Sequence, residues 1–225
     1  TFDHFVRTEW ASDSTRATAL RTFATEHDWW LDDYALFRAL HARYDERAWT
    51  DWPEPIRNRD PRAIEAERHA LRNEILYRTY LQWIASEQWT TARARSNGVA
   101  LFGDLPFMVN GDSGDVWSRQ DEFDQEGSVG VPPDAFSASG QDWGLPPYLW
   151  DVVQERDFDW LRLRARRMAQ LFDGYRVDHV VGFYRTFVRP RSGGKGVFTP
   201  ADEPSQGALG EGVLGVFRAT GVELV

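Results

Sequence analysis

Apolar positions recur every three to four residues along two stretches in the first half of the chain. Over residues 14–44, Leu20, Phe23, Trp30, Leu36, Phe37 and Leu40 fall on one face, which predicts a helix. The string Trp49-Thr50-Asp51-Trp52-Pro53-Glu54-Pro55 interrupts it, because proline has no amide hydrogen and pushes the preceding residue out of the helical region. Asp60-Pro61 restarts a helix as N-cap and first-turn proline. Leu71, Ile75, Leu76, Tyr80, Trp83, Ile84 and Trp89 carry its apolar stripe to about residue 95, and Asn97-Gly98 supplies the stop.

The period then changes. Val99-Ala100-Leu101-Phe102 is a short apolar run ending at Gly103-Asp104-Leu105-Pro106, which predicts a strand buried on both sides. Residues 109–149 hold much of the Gly, Pro, Ser and Asp and read as one long polar loop, a type that inside a domain usually carries function. A helix follows over 159–171 with Leu161, Ala165, Met168 and Leu171 on one face, and it delivers the chain into Gly174-Tyr175-Arg176-Val177-Asp178-His179. Strand, loop, helix and strand in that order predict a parallel β-α-β crossover, and residues 221–225 read as the start of a further strand. The fold class is α/β.

In such folds, sites form at the carboxyl ends of strands, where both Asp104 and Asp178 stand. Strand alternation puts Arg176 and Asp178 on one face and His179 on the other, and a guanidinium beside Asp178 favours its ionised form. A carboxylate nucleophile and a structural Arg-Asp pair both fit those residues. Aromatic content of 14%, with 11 Trp, is high. Trp117, Phe136, Trp143, Tyr148 and Trp150 lie among turn residues, so they are read as divided between contacts to flat apolar ligand faces, such as sugar rings, and packing of the loop. The net charge of -9 opposes nucleic-acid or anionic-membrane binding, and the lack of cysteine excludes thiolate chemistry and fits a reducing, cytoplasmic setting. No apolar run approaches about 18 residues. The absence of an initiator methionine predicts a chain processed or cut from something longer. Nucleotide-loop, G-x-S-x-G and His-x-x-x-His patterns are missing, His4, His27, His41 and His69 read as packed or solvated, and Asp121-Glu122-Phe123-Asp124 reads as a solvated run; none of this brings in a metal or cofactor.

Five strings together carry a family resemblance: Gly103-Asp104-Leu105-Pro106, Asp112-Ser113-Gly114-Asp115-Val116-Trp117, Pro132-Pro133-Asp134-Ala135-Phe136-Ser137, Gly140-Gln141-Asp142-Trp143-Gly144 and Arg176-Val177-Asp178-His179. In order and spacing they resemble the motifs of the 4-α-glucanotransferases, or amylomaltases. Trp30-Leu31-Asp32-Asp33-Tyr34-Ala35-Leu36-Phe37 and Trp49-Thr50-Asp51-Trp52-Pro53 resemble that family's helical insert.

The resemblance implies transfer of α-1,4-glucan segments between maltooligosaccharides, with retention. It makes Asp178 the nucleophile, Arg176 its charge partner and His179 a donor to the sugar. Trp143 and Phe136 would stack on glucose rings, Asp134 would bond near the cleavage point, and Asp104, Asp112, Asp115 and Tyr148 would shape or line the cleft, Asp104 alternatively bracing its strand end. It implies part of a (β/α)8 barrel, left incomplete, with a helical insertion over 1–60, a partial barrel over 61–225 and an active-site loop at about 107–150. The family's acid/base glutamate follows the next barrel strand; Glu223 stands at a strand start instead, so the chain is expected to be an internal fragment with little activity alone. A non-catalytic α-glucan-binding module and a retaining α-glucoside hydrolase are the alternatives.

Overall fold

The computed structural model describes residues 1–135 and 137–225, and divides the chain into two packing units. The first comprises residues 1–97 and 112–118, and the second residues 98–111 and 119–225.

The first unit is helical: α1 (Phe2–Phe5), a π turn, α2 (Thr15–Glu26), α3 (Asp28–Arg43), α4 (Glu54–Arg57), α5 (Pro61–Ala70), α6 (Arg72–Ala94) and α7 (Gly114–Ser118). The helix expected over 14–44 breaks at His27, and that expected over 61–95 breaks at Leu71. A straight rod of the first would run ~45 Å at 1.5 Å per residue. Folding it back lets Leu20 and Phe23 of α2 and Leu31 of α3 join Phe5 and Trp83 in one core. Both breaks are non-helical residues that still end a helix with a backbone hydrogen bond, so the chain turns without orphaning its amides. Ser14 caps α2 through Ala17 N, and Asp60 caps α5 through Arg62 N and Ala63 N. Because Trp83 of α6 belongs to this core, the helical unit reaches residue 97 instead of stopping at 60.

The second unit holds two sheets. β1 (Phe102–Leu105), β4 (Gly174–Val177) and β7 (Glu223–Leu224) form a parallel sheet in the order β1-β4-β7, with α9 (Asp159–Leu171) as the crossover before β4. The β-α-β expectation holds, although β1 starts three residues later than the apolar run. Val99 is 64% exposed and Phe102 also lies at the surface, so the run is not buried on both sides. Gly103 is required in β1, since a Cβ there would stand 2.4 Å from the Phe172 ring.

The second sheet was not expected. β2 (Gly127–Val131), β3 (Gln141–Asp142), β5 (Thr186–Pro190) and β6 (Val197–Thr199) pair antiparallel in the order β3-β2-β5-β6, so the stretch 109–149 supplies two strands and is not one continuous loop. Its sequence hides this: Gly127-Ser128-Val129-Gly130-Val131 has few of the bulky residues that signal a strand. Helices α8 (Trp150–Glu155) and α10 (Glu203–Arg218) complete the unit. The supposedly solvated acidic run is partly core. Glu122 is fully buried and paired with Arg119 at 2.8 Å and Arg156 at 2.7 Å, a buried charge made tolerable by two guanidiniums, and Phe123 is buried beside it.

In α10 two glycines should respond oppositely to the same change. Both gain about 0.5–1 kcal/mol of helix propensity on becoming alanine. A Cβ at Gly207 meets nothing within 4 Å, whereas one at Gly210 lands 2.1 Å from the Tyr184 ring. Urea unfolding is expected to show Gly207→Ala stabilised by that amount and Gly210→Ala destabilised by about 1–3 kcal/mol.

Candidate active site

The parallel register of β1 and β4 sets Asp104 opposite Arg176, at strand ends that lead into loops. Beyond β4 the backbone stays paired for one more residue, as Asp178 N donates to Leu105 O at 3.0 Å. Arg176 spans the two carboxylates. Its Nη1 donates to Asp104 at 2.7 Å and its Nη2 to Asp178. The guanidinium suits this because its donors fan out in one plane. Arg176 and Asp178 side chains remain 56% and 43% exposed, so each pair contributes about 0–1 kcal/mol to stability. The bridge orients carboxylates in an open cleft and is a poor candidate for a structural staple.

Strand alternation stops at His179, which takes a left-handed conformation (φ 54°, ψ 50°) and starts a 3-10 turn over Val180–Phe183. The turn is closed by Gly182 N donating to His179 O at 2.8 Å. Gly182 cannot carry a side chain here, because a Cβ would sit 2.7 Å from Phe107 and 2.8 Å from the His179 ring. The imidazole lies edge-on to Trp143 at 5.0 Å and near Phe107 at 5.6 Å. These neighbours strip water from the ring and push its pKa below the usual histidine value, against the opposing pull of the Asp178 charge. Desolvation of part of the ring favours the neutral imidazole, although the residue as a whole is exposed.

Trp143 follows β3, with its amide donating to Val129 O at 2.9 Å and its indole to Gln141 at 2.9 Å. Asp134 is exposed in the β2–β3 connection, where its carboxylate accepts from Ser137 N at 2.7 Å. Asp104, Arg176, Asp178, His179 and Trp143 thus belong to one neighbourhood of the second unit. Phe136 lies outside the described residues.

Three further sequence candidates have local contacts of their own. Asp112 belongs to the helical unit, where it accepts from Trp49 N and meets His41 Nε2, both at 3.1 Å. Asp115 sits half-buried in α7 of the same unit. Tyr148 is buried between Phe123 and Trp150, with its hydroxyl taken by Arg164 at 2.9 Å, so it packs the loop and offers no face to a ligand. Trp117 and Trp150 are also buried core, which sorts the loop aromatics and leaves Trp143 as the partly exposed one among those described. Phe107 was missed by the sequence reading. The only signal was its place directly after the Leu105-Pro106 strand end.

The second unit is thus an α/β unit whose parallel strands end on an arginine-bridged pair of acids, with an indole against the neighbouring histidine. The chain belongs to the 4-alpha-glucanotransferase family, whose profile matches residues 2–212. It is 38% identical over 183 residues to the 4-alpha-glucanotransferase of Thermus thermophilus, covering 77% of this chain and 36% of that protein. To the Synechocystis sp. 4-alpha-glucanotransferase it is 39% identical over 163 residues, covering 68% and 32%. The chain therefore spans about a third of the length of these relatives. Among solved structures, the amylomaltase from Streptococcus agalactiae in complex with acarbose superposes with a TM-score of 0.79 at 31% identity, over 90% of this chain and 43% of that one. The amylomaltase from Corynebacterium glutamicum gives 0.71 at 25% identity, over 92% and 28%.

The depressed His179 pKa has a sign. The folded state binds fewer protons here than the unfolded state, so stability falls as the pH drops through the unfolded value of about 6.5. Thermal midpoints recorded from pH 8 to pH 5 should decline more for the parent than for His179→Gln.

Proposed function

We propose that this chain supplies the nucleophile side of a 4-α-glucanotransferase active site acting on maltooligosaccharides and related α-1,4-glucans. The observation that carries the reading is the Asp104-Arg176-Asp178 bridge at the ends of β1 and β4, next to a histidine and an indole. The parallel sheet is then part of a (β/α)8 barrel, and Asp178 stands at the carboxyl ends where such barrels hold their catalytic groups.

A carboxylate oxygen of Asp178 attacks C1 of the donor sugar as the bond from C1 to the leaving O4 breaks, giving a β-linked glycosyl ester. The departing O4 takes a proton from an acid/base carboxyl group. An acceptor 4-hydroxyl then attacks C1, returns a proton to that same group and releases Asp178, so two inversions give net retention. Arg176 keeps Asp178 aimed, and His179 donates to a sugar hydroxyl. Trp143 provides a face for a glucose ring and covers the ester against water, which favours transfer over hydrolysis.

Neither nearby acid suits the acid/base role. Asp104 already shares the Arg176 guanidinium with Asp178, and Glu223 pairs with Gly174 at the opposite end of β4 from Asp178. We therefore expect these 225 residues alone to have little transferase activity. Incubating the isolated chain with maltotriose tests this, and release of glucose with longer oligomers would overturn it. In the full-length protein, Asp178→Asn is expected to lower disproportionation of maltotriose by about 10⁴-fold or more. Product analysis separates the alternatives: a hydrolase raises total reducing ends, while a transferase redistributes chain lengths at constant total.

A further inference from the structure

The antiparallel sheet presents two faces near Trp143. Because β2 and β3 alternate, Ser128, Gly130 and Asp142 share one face, and Val129 and Trp143 lie on the other. Arg189 pairs with Ser128 across β2 and β5, so it stands on the first face, and Arg191 follows two residues on along the same edge. Both guanidiniums end on backbone carbonyls of the segment that carries the indole. Arg189 Nη1 donates to Ser139 O at 3.3 Å, and Arg191 Nη2 donates to Gly144 O at 3.0 Å. Arg189 gets there by crossing β2 over Gly130: its Cδ lies 3.3 Å from where a Cβ at that glycine would be. Asp142 supports the same segment, accepting from Ser128 and, at 3.0 Å, from Gly144 N.

The two carbonyls bracket Trp143 in sequence, one four residues before it and one directly after. Fixing both, together with the Trp143 amide on Val129 O, leaves the strand little freedom to twist. The indole is then directed through the sheet to the face where it meets His179 edge-on. We propose that Arg189 and Arg191 are positioning residues for Trp143, holding its ring against His179 from the opposite face of the sheet. Neither touches the reacting atoms, and a surface role for them would need no such convergence on two backbone oxygens flanking one residue. The inference deepens the glucanotransferase reading and rests on it for its kinetic consequence.

The test uses the full-length protein with R189Q/R191Q, R189K/R191K, Trp143→Ala and the combination of the glutamine pair with Trp143→Ala. The glutamine pair is expected to raise KM for maltotriose roughly ten-fold with kcat changed far less, since a misplaced platform weakens sugar binding. It should also reproduce the near-ultraviolet circular dichroism change of Trp143→Ala, a readout independent of activity. The lysine pair, which keeps a donor for each carbonyl, should restore most of both. The combined variant should be no worse than Trp143→Ala, because the arginines act through that ring. An unchanged KM and spectrum in the glutamine pair, or losses that multiply with Trp143→Ala, would overturn the proposal. If the glutamine pair does not fold, R191Q alone carries the same comparison. Asp178→Asn tests the underlying reading separately: full transfer by that variant sinks the reading, whereas a dead Asp178→Asn beside an indifferent glutamine pair sinks only the positioning role.

Discussion

Because β1 and β4 run parallel with Asp104 opposite Arg176, one guanidinium reaches a carboxylate on the neighbouring strand and another two residues ahead on its own. A one-residue slip would send Arg176 to the other face and separate all three groups. The register is therefore the constraint on which the site depends, and the ion pairs follow from it. Packing behind the strands fixes it: Gly103 admits the Phe172 ring, Leu105 and Tyr175 are buried, and Asp173 and Leu101 exchange bonds just before the strands begin. Exposed pairs of this kind contribute too little to set a register themselves.

The same division of labour governs the aromatic residues. Phe107, Trp150, Phe183 and Phe217 make the buried layer beneath the turn after β4, with Phe107 and Phe183 in edge-on contact at 5.0 Å. Thr186 ties that layer to the antiparallel sheet by donating to Gly182 O at 3.0 Å and accepting from the Trp150 indole at 3.2 Å. On this base the left-handed His179 is held in a conformation that costs a non-glycine residue free energy when nothing supports it. Trp143, edge-on to His179, is only partly buried.

What the sequence revealed and what it hid separate along physical lines. The Arg176 and Asp178 alternation, the crossover into β4 and the helical first hundred residues were legible because each rests on a strong local period. The breaks at His27 and Leu71 were not, since the apolar stripe continues through both and only the shared core around Trp83 demands a turn. The antiparallel sheet was hidden because its strand β2 is glycine-rich and pairs with β5 some sixty positions away, as Val129 does with Val188. α10 went unread, although its Leu209, Val213, Val216 and Phe217 stripe and its Asp202 cap are regular signals, because the glycines between them lower helix propensity. The local partners of Asp112 and Tyr148 were not legible either, because a motif gives a residue's order and not the neighbours that meet its polar atoms.

Charge compensation differs between the two acidic centres of the second unit, and the difference bears on chemistry. Buried Glu122 draws the Arg119 and Arg156 guanidiniums onto one oxygen, and each arginine reaches a further acid at the surface, Asp159 and Asp121. At the candidate site a single, exposed guanidinium is shared by Asp104 and Asp178. Taken as formal charges, that group is net negative and faces an open cleft. A net negative centre attracts developing positive charge at a sugar's anomeric carbon, and the oxocarbenium-like transition state of glycosyl transfer carries such charge. A second cation at Asp178 would anchor the side chain more firmly while cancelling that field. Sharing Arg176 with Asp104 achieves the orientation without the cancellation, which accounts for why an acid on a neighbouring strand accompanies the proposed nucleophile.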